Sequence, residues 1–283
     1  MSKIKITCDS TCDLTQEIYE KYNVEVLPLG VTLGETLFSD GVDVTAPKVF
    51  DYVAETGILP KTSAISLGEY LEVFKKYVDD GYTVIHINIS SEFSSCHQNA
   101  KLAAEELGNV YPIDSRNLSS GSGHLVIAAA ELASEGLSAD EIVARLEEMK
   151  ERLDVSFVLQ TLDYLKKGGR CSGVVALAAT ALQLRPEIVV SEGSMKVGKK
   201  YRGSMEKSIT DYVKGRLANR DDIQHNRIFI THSYVPAEIV EKIKVLVAEL
   251  QPFAEIIETK AGCTISSHCG PACLGVLFFK KGE

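Results

Sequence analysis

No apolar run in this chain is long enough to cross a bilayer. The longest, such as Val174–Leu182, spans about nine residues, whereas a transmembrane helix needs roughly 20. Clustered positive charge is missing too: 30 Lys and Arg stand against 39 Asp and Glu, a net charge of −9. With no basic domain and no aromatic–basic ladder, nucleic acid is a poor partner, because phosphate binding depends on grouped Lys and Arg. No G-x-x-x-x-G-K-[ST] loop occurs, so ATP binding by the chain itself is not expected. Neither a G-x-S-x-G elbow, a repeat of fixed period nor a low-complexity linker is found.

The seven cysteines form no framework. Met1-Ser2-Lys3 leads straight into a strand pattern at Ile4 and Ile6 with no secretory signal, which predicts the cytoplasm and free thiols. Cys8 and Cys12 read as buried thiols. Cys263, His268, Cys269 and Cys273 crowd one segment, but their spacing matches no zinc finger or ribbon, so no metal site is expected.

What is present is a globular composition, 45% hydrophobic and 24% charged, in a length that suits one large domain or two ordinary ones. Short apolar strands alternate with amphipathic helices. Strands are predicted at Ile4–Cys8, Val24–Leu33, Tyr82–Ile89, Asn109–Ile113, Val155–Leu159, Glu187–Ser191, Arg227–Thr231, Ala254–Lys260 and Leu274–Phe279. Helices are predicted near Leu14–Tyr22, from Thr45 to Val53 with Pro47 in the first turn, and at Leu67–Val78 behind a Ser66/Glu69 capping box. Others follow at Ser94–Leu107, Gly123–Glu135, Ser138–Leu153, after Ser172, and at Met205–Ala218 and Ala237–Leu250. This alternation implies an α/β fold with parallel or mixed sheets under helices. Two consecutive helices ending at Leu153 break it, which divides the chain into domains at 1–153 and 154–283.

In open α/β sheets, ligands gather beyond the carboxyl ends of the strands. Two hydroxyl-rich loops fall at such places: Thr62-Ser63 after Pro60, and Ser90-Ser91-Glu92-Phe93-Ser94-Ser95 after Ile89. Helix capping accounts for either. So does anion capture, since a helix N-terminus offers unpaired N–H groups and hydroxyls add neutral donors. These residues alone leave both readings open. Ser119-Ser120-Gly121-Ser122-Gly123-His124 reads as a flexible turn with a helix cap. His86 and His232 read as satisfied structural histidines, and Lys196, Lys199, Lys200, Arg202 and Lys207 as either a solvated face or a docking surface.

The combination decides. Pro60-Lys61-Thr62-Ser63, the Ser90–Gln98 loop, Asp114-Ser115, Thr161–Arg170, Lys200-Tyr201-Arg202-Gly203 and His268-Cys269-Gly270-Pro271 together resemble motifs of the DegV family. They run in the expected order from Asp9-Ser10 to Gly275, and Thr161–Arg170 is the most specific. The resemblance implies two α/β domains, an N-terminal one with a parallel sheet and a C-terminal one with a mixed sheet, enclosing a lipid tunnel. It implies a non-catalytic protein, without cofactor, that holds a long-chain fatty acid. Thr62, Ser63, Ser94, Ser95, Arg170 and His268 would surround the carboxylate. The implied partner is a separate ATP-binding fatty acid kinase related to dihydroxyacetone kinases, docking at Arg202. Two departures stand out: Ser94-Ser95-Cys96-His97-Gln98 replaces the usual Ser-Gly-Thr-Tyr-Gln, and Cys269 and Ala272 replace Thr and Gly. The rival reading is an acyl-transfer or hydrolytic enzyme with Ser94 as nucleophile and His268 as base.

Overall fold

Strand β1 (Lys3–Asp9) buries its last five residues, and a strand buried on both faces must be covered by helices on each side. A computed structural model describes residues 3–171 and 184–282. In it, β1 lies inside a four-stranded parallel sheet ordered β2 (Glu25–Leu27), β1, β6 (Tyr82–Asn88), β7 (Val110–Asp114). Helices α3 (Leu67–Asp79) and α4 (Cys96–Leu107) pack together over it, as do α5 (Ser120–Ser134) and α6 (Ala139–Lys150). The Ser66/Glu69 capping box forms as predicted, with the Ser66 N–H donating to the Glu69 carboxylate at 2.8 Å and the Glu69 N–H returning to Ser66 Oγ at 3.3 Å.

The second domain is a mixed sheet of six strands. Its order is β10 (Ser194–Arg202), β9 (Leu184–Ser191), β8 (Leu153–Val158), β13 (Leu274–Lys280), β11 (Ile223–His232), β12 (Glu255–Lys260). Only β11 and β12 run parallel; the other neighbours are antiparallel. The molecule is thus two α/β domains, one parallel and one mixed. The largest apolar cluster joins them, running from Ile6, Ile85 and Ile113 through Leu125 to Phe157, Ile188 and Phe279.

Several elements differ from the sequence pattern. Val24–Leu33 splits into β2 and β3 (Gly30–Leu33), interrupted around Pro28, whose missing N–H cannot serve a ladder. While β2 joins β1, β3 centres a small antiparallel sheet with β4 (Thr36–Ser39) and β5 (Lys61–Ser63). Helix α2 (Ala46–Thr56) lies between β4 and β5 in sequence, and its Val49 joins Val31, Leu33 and Val44 in a separate small core. The turn expected over Ser119–His124 is already helical from Ser120, and α5 packs so tightly there that a Cβ on Gly123 would lie 2.7 Å from Leu14. The helix expected to reach Leu153 stops at Lys150, and Leu153 opens β8. The helix expected after Ser172, and the apolar run Val174–Leu182, lie outside the described residues. No helix among the described residues is long and apolar enough to cross a membrane.

Candidate functional site

The parallel sheet changes direction of winding between β1 and β6, since the chain steps from β1 to β2 on one side and later to β6 on the other. Crevices form at such points, beyond the carboxyl ends of the strands. Here the loop after β6 supplies Ile89, Phe93 and Ser94 to a cavity of about 60 Å³. Thr62 and Ser63 of β5 enter from the small sheet. Arg170 and His268 enter from the second domain. A further cavity of about 30 Å³ shares Leu118, Ile265 and Cys269 with the first and runs on against Phe157, Cys273 and Leu277. The two cavities adjoin at those shared residues, and the second is also lined by Ser119, Ser156, Thr231, His232 and Ser233.

Five of the six residues assigned to a head group therefore line one cavity. Ser95 does not: it is exposed at the N-cap position of α4, with no side-chain capping bond. Its φ of −79° is open to any L residue, so Ser in place of Gly costs nothing in backbone conformation here. Ala272 is the reverse case, with φ of 55° where the resembling family carries Gly. Thr62 and Ser63 are not helix caps, because they sit in β5 and Ser66 caps the next helix. Ser94 does serve α4, its Oγ accepting from the Cys96 N–H at 3.3 Å while the hydroxyl donates to Cys96 Sγ at 3.2 Å.

His268 belongs to the short helix α10 (Cys263–Cys269), and its Nε2 hydrogen-bonds Thr62 Oγ1 at 2.9 Å. Burial, with the Arg170 charge adding to it, pushes its pKa down to about 4, so the ring is neutral at physiological pH. Arg170 donates from Nη1 to Gly168 O at 2.7 Å and reaches Phe93 O from Nε at 3.5 Å, beside Ser94.

The Thr161–Arg170 and His268–Pro271 motifs interlock. Gly168 ends α7 (Asp163–Gly168), and a Cβ there would come 2.4 Å from His268 Nδ1. In return, Gly270 has φ of +74°, and a Cβ on it would lie 2.7 Å from the Tyr164 ring. Each motif contributes the glycine that makes room for the other's ring.

Carboxylates missed at the sequence level hold α10 in place. Asp40 Oδ1 accepts from the Cys263 N–H at 2.7 Å and Oδ2 from the Thr264 N–H at 3.1 Å. Asp13 Oδ1 accepts from the Gly262 N–H at 2.8 Å, and burial pushes the Asp13 pKa up to about 8. Both lie in turns remote in sequence from α10, so no local pattern announces them. Thr264, also missed, lines the cavity with 4% of its surface exposed.

Arg202 lies elsewhere, exposed at the end of β10 opposite Leu184 and outside the cavity lining. For the nucleophile–base reading, Ser94 and His268 share a cavity but no hydrogen bond joins them among the described residues. His268 Nε2 is engaged by Thr62, and Nδ1 has no partner that could orient the ring. A base held near 4 is also badly matched to proton abstraction at neutral pH.

Comparison with known proteins extends this picture over the full length. A family model described as "Uncharacterised protein, DegV family" matches residues 3–281. A DegV domain-containing protein of Clostridium perfringens is 31% identical over 285 residues, covering 99% of this chain and 100% of its own. A Thermus thermophilus DegV family protein, whose solved structure is described for fatty acid binding, superposes with a TM-score of 0.87 at 30% identity, covering 99% of this chain and 100% of its own. A stearic acid-binding protein of Eubacterium ventriosum is similar at a TM-score of 0.86 and 26% identity, with 98% of each chain covered.

Proposed function

The chain belongs to the DegV family, and from that premise we propose that it binds a long-chain fatty acid reversibly and presents the carboxylate to a separate ATP-dependent kinase. One observation carries this reading. Thr62 and Ser63, Ser94 and Arg170, from three distant segments, line one cavity, and a second, sharing Leu118, Ile265 and Cys269 with it, continues against Phe157, Cys273 and Leu277. A neutral His268 beside them adds no charge to hold the acid too firmly.

The energetics suit a carrier. Each buried methylene contributes about 0.8 kcal/mol, so a 16-carbon tail offers on the order of 12 kcal/mol gross. Lost freedom and desolvation return several kcal/mol of this. Head-group hydrogen bonds then act mainly on orientation, at about 1–3 kcal/mol each where charged. In this reading the kinase is a dihydroxyacetone-kinase-like protein, and Arg202 on β10 belongs to its docking surface.

Mass spectrometry of an organic extract of the purified protein tests the proposal. Stoichiometric intact fatty acid is expected; a covalent acyl adduct on Ser94 would instead support the enzyme reading. Thr62→Ala and Ser94→Ala should depress kinase-coupled acyl phosphate formation more than lipid retention. Equal loss of both would mean that these hydroxyls do not orient the acid for transfer.

A further inference from the structure

The polar end of the cavity holds one hydrogen-bonding group more than a carboxylate uses. Two carboxylate oxygens offer about four lone-pair sites, and four residues, Thr62, Ser63, Ser94 and Arg170, are already assigned to them in the lining. Thr264 stands in the same lining, 4% exposed, and its Oγ1 has no hydrogen-bond partner among the described residues. Its position explains why none arises locally. The backbone N–H is fixed to Asp40 Oδ2, which makes Thr264 the second residue of α10, where no preceding helical turn offers a carbonyl to the hydroxyl.

His268 Nδ1 is unpartnered as well, but it faces Gly168, whose backbone approaches too closely for even a methyl group to fit between. Thr264 Oγ1 is different. Thr264 lies four residues before His268, on the same face of α10, and both line the first cavity, so it stands beside the head-group end. A buried hydroxyl without a partner is unfavourable, and one that lines a cavity can be completed by what binds there.

We infer that Thr264 is a specificity residue that recognises a hydroxyl or oxo group on the acyl chain close to the carboxyl carbon. The favoured ligand class is then a hydroxy or oxo fatty acid. This deepens, and rests on, the fatty-acid reading above. A plain acid sets a methylene against Oγ1 and leaves it unpaired; an oxygenated chain completes it. Recognition of this kind discriminates well, because the penalty of the unpaired group falls entirely on the wrong ligand.

The test is displacement of a fluorescent fatty acid from the delipidated full-length protein by palmitate, α-hydroxypalmitate and β-hydroxypalmitate. The native protein should bind one of the hydroxy acids roughly tenfold more tightly than palmitate, the equilibrium equivalent of one good hydrogen bond. Thr264→Val, which keeps the shape, should erase that preference by weakening the hydroxy acid relative to palmitate. Thr264→Ser should retain it. Equal affinities in the native protein, or a preference surviving in Thr264→Val, overturn the inference while leaving fatty acid binding intact. If none of the acids displaces the probe, both readings fall together.

Discussion

Two polar centres stand at the carboxyl ends of the same parallel strands, and they differ in how completely their groups are paired. At the end of β1, the fully buried Asp9 carboxylate accepts from Tyr70 Oη at 2.8 Å, His86 Nε2 at 3.0 Å, Asn88 Nδ2 at 3.3 Å and the Ile89 N–H at 2.9 Å. The other ring nitrogen of His86 reaches Thr7 Oγ1 at 2.8 Å. A few residues along, the cavity leaves Thr264 Oγ1 and His268 Nδ1 without partners among the described residues. A buried carboxylate that meets four donors has no capacity left for a ligand. It is scaffold, and through Ile89 it fixes the start of the loop that carries Ser94. Unpaired groups beside a cavity are where binding can still release free energy.

Breaking the first centre should therefore cost the most stability. Asp9→Ala strands four donors in a dry interior, and the expected loss is more than about 3 kcal/mol in urea unfolding. Thr264→Val removes a hydroxyl that nothing answers, so its cost should be below about 1 kcal/mol, or negative. Similar losses in the two variants would erase the distinction between scaffold and site.

A smaller effect tests how the cavity keeps its shape. Gly168→Ala drives a methyl group into His268 Nδ1, so the ring must leave Thr62 or the α7–α10 contact must open. Overpacking of this sort costs about 1–3 kcal/mol, and fatty acid affinity should fall with it. Gly169→Ala is the control: its φ is +71° but nothing lies within 4 Å of the added carbon, so about 1 kcal/mol of backbone strain is expected with the binding untouched. Unaltered affinity in Gly168→Ala would show that the glycine is incidental to the head-group end.

The same contrast explains what could be read from the residues alone. Elements with their own local chemistry were legible: the parallel strands β1 and β6 by their apolar runs, and α3 and α6 by the Ser66/Glu69 and Ser138/Glu141 capping boxes. Cys8, Cys12 and His86 are buried as their settings implied. Elements defined by distant contacts were not legible. Helix α10 has small polar residues such as Ser266 and Ser267 buried along with its apolar ones, so no stripe betrays it. Strand β10 hides among lysines, with its register shifting between Val197 and Lys200. Thr62, Ser94, Arg170 and His268 were named through motifs whose meaning came from resemblance. The physical reason for those motifs, glycines making room for rings across the domain junction, needs three dimensions. Thr264 offered no signal at all, because an unpaired hydroxyl is defined by what surrounds it.

A last effect, on pH dependence, separates His268 from the acidic groups around it. In the folded protein His268 titrates near 4, below the ordinary value of about 6.5 for an unfolded chain. Below pH 6.5 the unfolded state takes up a proton that the folded state refuses. The contribution of His268 to stability is therefore complete above about 6.5 and declines as pH falls from there toward 4. Asp13 runs the other way: with its folded pKa raised to about 8, its contribution is complete below its unfolded value of 3.8 and is lost as pH rises through 8. Urea midpoints at pH 7, 5.5 and 4.5 should fall less steeply in His268→Gln than in the native protein. Part of the slope will persist, since His124, held near 3 by burial, works in the same direction. Bound fatty acid should flatten the native slope further, because a carboxylate beside His268 favours the imidazolium and raises its folded pKa. Should lipid leave the slope unchanged while His268→Gln reduces it, the ring would be titrating in the right window but out of reach of the acid, and the head group would have to lie nearer Ser94 and Arg170.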